Sequence, residues 1–278
     1  MSKPHTEITL ERPAFDAIVT LAHREFGLNI APEKLKMVQS RLRHRVRALN
    51  LLNFESYSDL VRSANGAEER RSMISALTTN VSHFFREPHH FDTLNTVVLP
   101  HIRERLKSRD RIRIWSAGCS NGQEPYSIAM YLLHAEPSLK DRDFKILATD
   151  IDPKVIAFAE RGLYSFEQIE LISDAYKSKF MSGTQDALGF TAQLRSLVTF
   201  RELNLLAPWP MKYPFDAIFC RNVVIYFDLA TQEALWPRFH TSLRKDGVLF
   251  LGHSERIAAP ANFGFKTIGT TTYKKTAL

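Results

Sequence analysis

Cysteine is nearly absent: the 278 residues carry two, Cys119 and Cys220, far apart in the chain. That excludes a disulfide-stapled secreted scaffold and a four-cysteine zinc site, and makes a reducing cytoplasm the expected location. Long hydrophobic runs are also missing. The apolar runs are short, Val248-Leu249-Phe250-Leu251 having the length of a strand, so neither a membrane span nor direct membrane insertion is expected. The first residues are polar, with Pro4 and Glu7, and no signal peptide is expected. There is no internal repeat and no low-complexity segment. What is present is 44% hydrophobic residues, enough for a sizeable core in one or two domains, and a formal net charge of +7. The charge implies an acidic partner, either nucleic acid or an acidic protein surface, without choosing between them.

The first 80 residues read as all-helical. Phe15, Ile18, Val19, Ala22 and Phe26 recur at helical spacing before Gly27. Pro32 and Glu33 then open a helix with the apolar stripe Leu35, Val38, Leu42, Val46 and Leu49. Phe54 to Val61 and Met73 to Leu77 mark two more, separated by the turn pair Asn65-Gly66. From about residue 90 strands alternate with helices. Ile112–Ala117, Phe144–Thr149, Phe215–Cys220 and Val248–Leu251 read as strands, and Phe263 to Lys274 as a terminal hairpin. This rhythm predicts an α/β fold with a parallel sheet covered on both faces. Residues 163–200 interrupt it and read as a small β-rich insertion centred on about 180–200.

The most informative stretch runs from Arg111 to Glu124: a buried strand, a loop with Gly118 and Gly122, then the first turn of a helix. Such a loop is expected to set backbone N–H groups and a helix N-terminus beside a bound small molecule. In open parallel sheets ligands bind beyond the C-terminal strand ends. Four segments would meet there: Ala117–Gly122, Asp150, Asn204-Leu205 and Cys220-Arg221-Asn222. The Asp150 carboxylate suits two ribose hydroxyls. A dinucleotide fits poorly. The G-x-G-x-x-G spacing is missing, and Glu124 in the first helical turn would repel a diphosphate. A carboxylate there suits a ligand bearing an ammonium or sulfonium charge, such as S-adenosylmethionine (SAM).

Three motifs then carry a resemblance: Thr78-Thr79-Asn80-Val81-Ser82-His83-Phe84-Phe85-Arg86, Ala117-Gly118-Cys119-Ser120-Asn121-Gly122-Gln123-Glu124-Pro125-Tyr126-Ser127, and Phe215-Asp216-Ala217-Ile218-Phe219-Cys220-Arg221-Asn222-Val223-Val224-Ile225-Tyr226-Phe227. In this order, over nearly the whole chain, they resemble the CheR family of bacterial chemotaxis receptor methyltransferases. The resemblance implies a Rossmann-like SAM-dependent methyltransferase sheet with a β-rich insertion, preceded by an all-helical domain. The expected bounds are 1–80 for a receptor-docking domain, 81–95 for a linker contributing to the cofactor site, and 96–278 for the methyltransferase domain. The implied activity is transfer of the SAM methyl group to receptor glutamate carboxylates, leaving S-adenosylhomocysteine. Implied SAM contacts are Asn80, Ser82, Arg86, Glu124, Asp150, Asn204, Leu205, Arg221 and Asn222. Relatives often have threonine at position 82, and serine keeps the hydroxyl. The span Gln185–Phe200 reads as shorter than in members that tether to a receptor's C-terminal pentapeptide, which argues against tethering here.

A glutamate is already anionic at pH 7, so direct displacement requires alignment rather than a general base. Arg86 and Tyr226 are the expected residues at the chemistry, Arg86 holding a carboxylate and Tyr226 offering its ring or hydroxyl. Arg41, Arg45 and Arg47 crowd one helix. With its apolar stripe turned inward, Arg41 and Arg45 are expected on an exposed face with Arg47 nearby, suited to docking on glutamate-rich receptor helices. His89 and His90, adjacent on a helix, are expected to face different ways, and with His83 they lack a zinc pattern, so no metal is expected. Cys119 and Cys220 read as buried reduced thiols bordering the cofactor site, with oxidant sensing as the sharper alternative. The expected partners are chemoreceptor methylation helices and a regulatory adaptor protein, not nucleic acid, and the expected state is a monomer. An RNA methyltransferase and a non-catalytic SAM-binding adaptor are the rival readings. Against the first, the helical domain shows no nucleic-acid motif and no aromatic platform.

Overall fold

A computed structural model describes residues 8–184 and 187–277. The expectations that rest on Pro4, Glu7 and Gln185 lie outside the described residues. The chain divides into two compact units. One holds residues up to Thr79 together with Tyr226–Asp228; the other holds Asn80–Ile225 and the rest from Leu229.

The first unit is helical: α1 (Arg12–Phe26), α2 (Leu35–Ala48), α3 (Phe54–Arg62) and α4 (Ala67–Leu77). Each helix buries the stripe that its sequence spacing dictates, Phe15, Ile18 and Ala22 on α1 and Val38, Leu42 and Val46 on α2. Gly27 ends α1 in the left-handed conformation, φ 74°, returning its N–H to the last turn. Asn53 caps α3 by accepting the Ser56 N–H at 2.9 Å. Inside this unit the Tyr226 carbonyl accepts the Asn29 N–H at 2.8 Å, and His23 Nε2 lies 2.7 Å from Asp228.

The basic helix α2 corrects the expectation of an exposed Arg41–Arg45 face. Arg45 turns inward and holds the Glu69 carboxylate at 3.0 and 2.5 Å, while Tyr57 donates its hydroxyl to the same carboxylate at 2.8 Å. Arg41 donates to the Leu77 and Thr78 carbonyls at 2.5 and 3.2 Å and to Thr79 Oγ1 at 2.8 Å, closing the C-terminus of α4. A guanidinium there satisfies orphan carbonyls and complements the helix dipole. A buried glutamate and an open helix end are the physical reasons that two arginines of this run face the protein. Arg47 is exposed, as expected.

The second unit begins at Asn80, so the stretch 81–95, expected as a linker, is built into it. Phe84 and Phe91 are buried, and α5 (Pro88–Thr93) runs through a π-helical turn, Leu94–Val98, into α6 (Leu99–Lys107). Then come β1 (Ile112–Ala117), α7 (Gln123–Ala135), β2 (Phe144–Asp150) and α8 (Pro153–Arg161). Next are β3 (Leu163–Tyr164), α9 (Asp174–Phe180), β4 (Met181–Thr184), β5 (Ala187–Phe190) and α10 (Ala192–Arg195). The unit finishes with β6 (Val198–Glu202), β7 (Phe215–Cys220), α11 (Leu229–Ser242), β8 (Leu243–Leu251), β9 (Phe265–Gly269) and β10 (Thr272–Lys275).

The main sheet has the order β6-β2-β1-β7-β8-β10-β9. Its first five strands are parallel, and β10 and β9 add an antiparallel hairpin at the edge. Every residue of β7 is buried, as expected of a strand covered on both faces. After β1 the chain moves outward through β2 to β6, then returns to β7 on the other side of β1. The direction of winding reverses between β1 and β7, which puts the loops after these two strands at the crevice where open α/β sheets bind ligands.

The β-rich insertion lies earlier than 180–200. Its three strands, β3, β5 and β4, form a separate antiparallel sheet within residues 163–190. Thr191 starts the short α10 by accepting the Leu194 N–H. Val198 and Phe200 pair in parallel with Ile146 and Ala148, so β6 belongs to the main sheet. The alternation over 190–200 therefore comes from a cap, a helical turn and an edge strand. Phe84, Tyr126, Tyr164 and Phe190 bind the insertion to the core through edge-on and tilted ring contacts with centroids 4.4–6.3 Å apart.

Candidate cofactor site

The loop after β1 is built on left-handed backbone. Gly118 and Gly122 have φ 82° and 89°, and Ser120 between them has φ 49°. A Cβ at Gly118 would lie 2.2 Å from Val223 Cγ2, and one at Gly122 would lie 2.8 Å from both Ala159 Cβ and the Tyr164 hydroxyl. Glycine is thus required twice over, by conformation and by the approach of the β7 loop and α8.

The loop's N–H groups differ from the sequence expectation. Those of Gly118 and Cys119 go to the Thr149 carbonyl at 2.7 and 2.9 Å, and that of Gly122 to the Cys119 carbonyl at 3.0 Å. The Ser120 N–H goes to Asp150 Oδ2 at 2.8 Å. These four donors are turned inside the protein, so what this part of the loop presents is shape and side chains.

Asp150, at the end of β2, also accepts the Asp152 N–H at 3.0 Å. Burial nevertheless pushes its carboxyl up to about 6. Asp152 caps α8 by accepting the Lys154 N–H at 2.9 Å and accepts the Asn80 amide at 3.0 Å. The Asn80 carbonyl in turn receives the Ser120 hydroxyl at 3.0 Å. Asn80, the glycine loop and the end of β2 are therefore one hydrogen-bonded assembly.

A second assembly forms around Arg221, which follows β7 and is buried. It faces Glu124 Oε2 at 3.3 Å and Glu87 Oε2 at 3.3 Å, and donates to the Arg86 carbonyl at 2.5 Å. Glu124, in the first turn of α7, also accepts the Ser116 hydroxyl at 2.6 Å; burial raises its carboxyl, opposed by the Arg221 charge. Asn222 has φ 59°. The buried Glu255 pins its loop by accepting N–H groups from Asn222, Val223, Ile225 and Gly252 at 2.5–3.1 Å. Arg86 is half-buried, with a 3.3 Å bond to the Val81 carbonyl and Glu87 at 3.9 Å.

At the third strand end, Asn204 accepts the Leu206 N–H at 2.9 Å, and the buried Leu205 gives its carbonyl to Trp209 Nε1 at 3.0 Å and to Arg238 at 2.6 Å. Ser82 is half-buried beside Val81 and His83. The structure thus joins Asn80 and Asp150 through Ser120 and Asp152, joins Arg86 and Glu124 through Arg221, holds Asn222 on Glu255, and places Asn204-Leu205 at the end of β6. Tyr226 groups with the helical unit. Glu87, Asp152 and Glu255 were not foreseen as site residues. Glu255 follows β8 as Leu251 is followed by Gly252-His253-Ser254-Glu255, and the strand-end rule applied to β8 would have found it.

His89 and His90 correct a further expectation. Their ring centroids are 4.2 Å apart, and with Glu87 their ligand atoms lie within 4.8 Å of one another. The short helix bends both rings toward Glu87. Yet both oxygens of Glu87 are already taken, by Arg221 and by the His253 N–H at 3.1 Å, which makes the cluster a charge network. Burial and the Arg221 charge press His90 down to about 3, so it is neutral. Both cysteines are buried free thiols whose pKa burial raises well above the ordinary value, the opposite of a reactive thiolate.

Comparison with known proteins decides the family. Residues 80–274 match the CheR methyltransferase SAM binding domain, and residues 13–78 match the CheR methyltransferase all-alpha domain. The chain belongs to the CheR methyltransferase family. It is 46% identical to a probable chemotaxis protein methyltransferase of Rhizobium etli, over 92% of this chain and 97% of that one. It is 40% identical to a chemotaxis protein methyltransferase of Escherichia coli over 90% and 87%, and 36% identical to one of Borreliella burgdorferi over 99% and 98%. This CheR-family chain is a SAM-dependent methyltransferase of chemotaxis. Among the described residues no helix is long and apolar enough to cross a membrane.

The residues present suit SAM. Asp150 stands at the strand end where ribose hydroxyls are bound in such sheets, and the N–H groups of Gly118, Cys119, Ser120 and Gly122 turn inward rather than toward a diphosphate. Glu124, the acid of the first turn of α7, is paired with Arg221 and Ser116.

Proposed function

We propose that this chain methylates glutamate side chains on the cytoplasmic methylation helices of chemoreceptors, forming methyl esters. The observation that carries the reading is how the acids and imidazole of the site are occupied. Asp150 and Glu255 accept backbone N–H groups, Glu87 and Glu124 face Arg221, and His90 is neutral and buried. None of these is placed to take a proton from a hydroxyl or amine. A carboxylate nucleophile needs no such base, because it is already ionised at pH 7.

When bound, SAM would supply a methyl group on a sulfonium: an incoming carboxylate oxygen would bond to the methyl carbon as the C–S electron pair leaves onto sulfur, releasing S-adenosylhomocysteine. Asp150 holds the ribose hydroxyls; Asn80, Ser82, Asn204, Leu205 and Asn222 line the remainder; Glu124 offsets the ligand's positive charge. Arg86 and Tyr226 stand next to the chemistry in this reading, Arg86 orienting a carboxylate through two hydrogen bonds. Arg47, exposed on α2, contributes to docking on the acidic receptor helices. A regulatory adaptor protein remains a proposed further partner, and the acting form is a monomer.

The test is incubation with methyl-labelled SAM and either receptor cytoplasmic fragments or RNA. Label in the receptor that alkali releases as methanol supports the reading. Label in RNA, or alkali-stable label, overturns it.

A further inference from the structure

Arg86 stands between two left-handed residues, Phe85 at φ 54° and Glu87 at φ 57°. A phenylalanine in this region is held there at a cost, so contacts from outside the segment must fix it. The Arg86 side chain does not. Its own contacts are one 3.3 Å bond to the Val81 carbonyl and Glu87 at 3.9 Å. The holds are on its neighbours. The Phe85 N–H goes to Ser127 Oγ at 3.0 Å, and that hydroxyl is anchored on the Gln123 carbonyl of α7 at 2.7 Å. The Phe85 ring stacks on Tyr176 of α9, with centroids 5.1 Å apart and planes at 27°, and meets Phe91 at 5.3 Å. Phe84, one residue earlier, is buried against Tyr164 of β3 and Phe190 of β5 at 5.0 and 5.8 Å. Tyr164, Tyr176 and Phe190 all belong to the insertion within residues 163–190.

We propose that the insertion is the mount that presents Arg86 for catalysis, with Tyr176 a positioning residue that acts through Phe85. The proposal rests on the reading above, in which Arg86 orients a carboxylate at the methyl transfer. A guanidinium that makes two hydrogen bonds to a carboxylate must keep both its plane and its reach. A long side chain rising from a loose backbone would lose backbone and rotamer freedom together when it engages. Here the backbone freedom is already removed. Ser127 holds the Phe85 N–H, Tyr176 holds the Phe85 ring, and Arg221 holds the Arg86 carbonyl at 2.5 Å. The side chain of Arg86 is left to the ligand. The strain gives this arrangement its sensitivity. A left-handed phenylalanine relaxes to an ordinary φ once its ring is released, and that rotation swings the next residue, Arg86, out of place. Losing the stack therefore redirects the arginine instead of only loosening the fold.

The experiment is a double-mutant cycle on methylation of receptor fragments by the whole protein at saturating SAM, with the melting temperature of each variant recorded. Arg86→Ala alone reports on the reading of the site; the effect of Tyr176→Ala with and without Arg86 reports on the insertion. Tyr176→Ala is expected to lower kcat about tenfold in the wild-type chain and less than about twofold in the Arg86→Ala background. A purely structural loss would lower both by the same factor. Tyr176→Phe, which keeps the ring, should restore the wild-type kcat. Ser127→Ala is a smaller change that takes the acceptor from the Phe85 N–H. It should show the same dependence on Arg86, and it completes the cycle if Tyr176→Ala does not fold. Wild-type turnover in Arg86→Ala removes the reading and the proposal with it. Equal factors in the two backgrounds, or wild-type kcat in a folded Tyr176→Ala, overturns the proposal and leaves the reading standing.

Discussion

Arg45 of α2 and Glu69 of α4 form a two-bond ion pair at 3.0 and 2.5 Å, with Glu69 almost fully enclosed and the Tyr57 hydroxyl as its third partner. The hydrogen bond to Glu69 raises the Arg45 guanidinium, and burial, followed by the Glu69 charge, raises the Tyr57 hydroxyl. Replacing Arg45 leaves a buried carboxylate with a single neutral donor. Arg45→Ala is expected to cost about 3 kcal/mol, at the low end for broken buried pairs because Arg45 keeps some exposure. Denaturant unfolding measures it, and a change under about 0.5 kcal/mol would contradict the pairing. Arg47→Glu, on the exposed face, should leave stability within about 0.5 kcal/mol and lower receptor methylation without changing SAM affinity.

Asp150 links cofactor binding to pH. Burial raises its carboxyl from 3.8 to about 6, so between these values the folded protein holds a proton that the unfolded chain has lost. In the unliganded protein this group therefore costs stability as pH rises from 3.8 through about 6. Ribose hydroxyls require the charged acceptor. SAM affinity should be level above neutrality and fall about tenfold per pH unit below 6. Asp150→Asn should bind weakly at every pH in titration calorimetry. An unchanged pH profile in the variant would remove Asp150 from the site.

Gly122 carries both a left-handed φ and a close approach to Ala159 and Tyr164. Gly122→Ala should destabilise by at least about 1 kcal/mol and displace the loop that Asp150 holds. Thermal unfolding and SAM titration should therefore shift together. A variant with wild-type values in both would contradict the geometry.

Arg86 bears little structural load, with one 3.3 Å bond to a carbonyl and a 3.9 Å ion pair. Arg86→Ala should keep the wild-type melting temperature and lower methyl transfer by about a hundredfold. Wild-type turnover in a folded variant would end its assignment to the chemistry.

The main sheet was readable from the sequence because buried parallel strands are short apolar runs, and Phe215–Cys220 and Val248–Leu251 have little else they can be. Asp150 was found by the same logic, as an acid where a strand ends beside a glycine loop. The basic helix misled because periodicity says which stripe of α2 faces inward but not that Glu69, 24 residues later, draws Arg45 in after it. Residues 190–200 misled for a local reason: Thr191 capping a single helical turn leaves an alternating pattern much like a strand. Glu87 was invisible because its contacts are with Arg221 and His253, over 130 residues away in sequence. The helical unit and the motif residues were legible; the charge network behind them required coordinates.

The most direct measurement is mass-spectrometric mapping of receptor fragments after reaction with this protein and SAM. Methyl increments on glutamate side chains, lost on brief alkaline treatment and absent without SAM, are the expected result. Methylation confined to lysine, arginine or nucleic acid, with the receptor glutamates unmodified, would contradict the account.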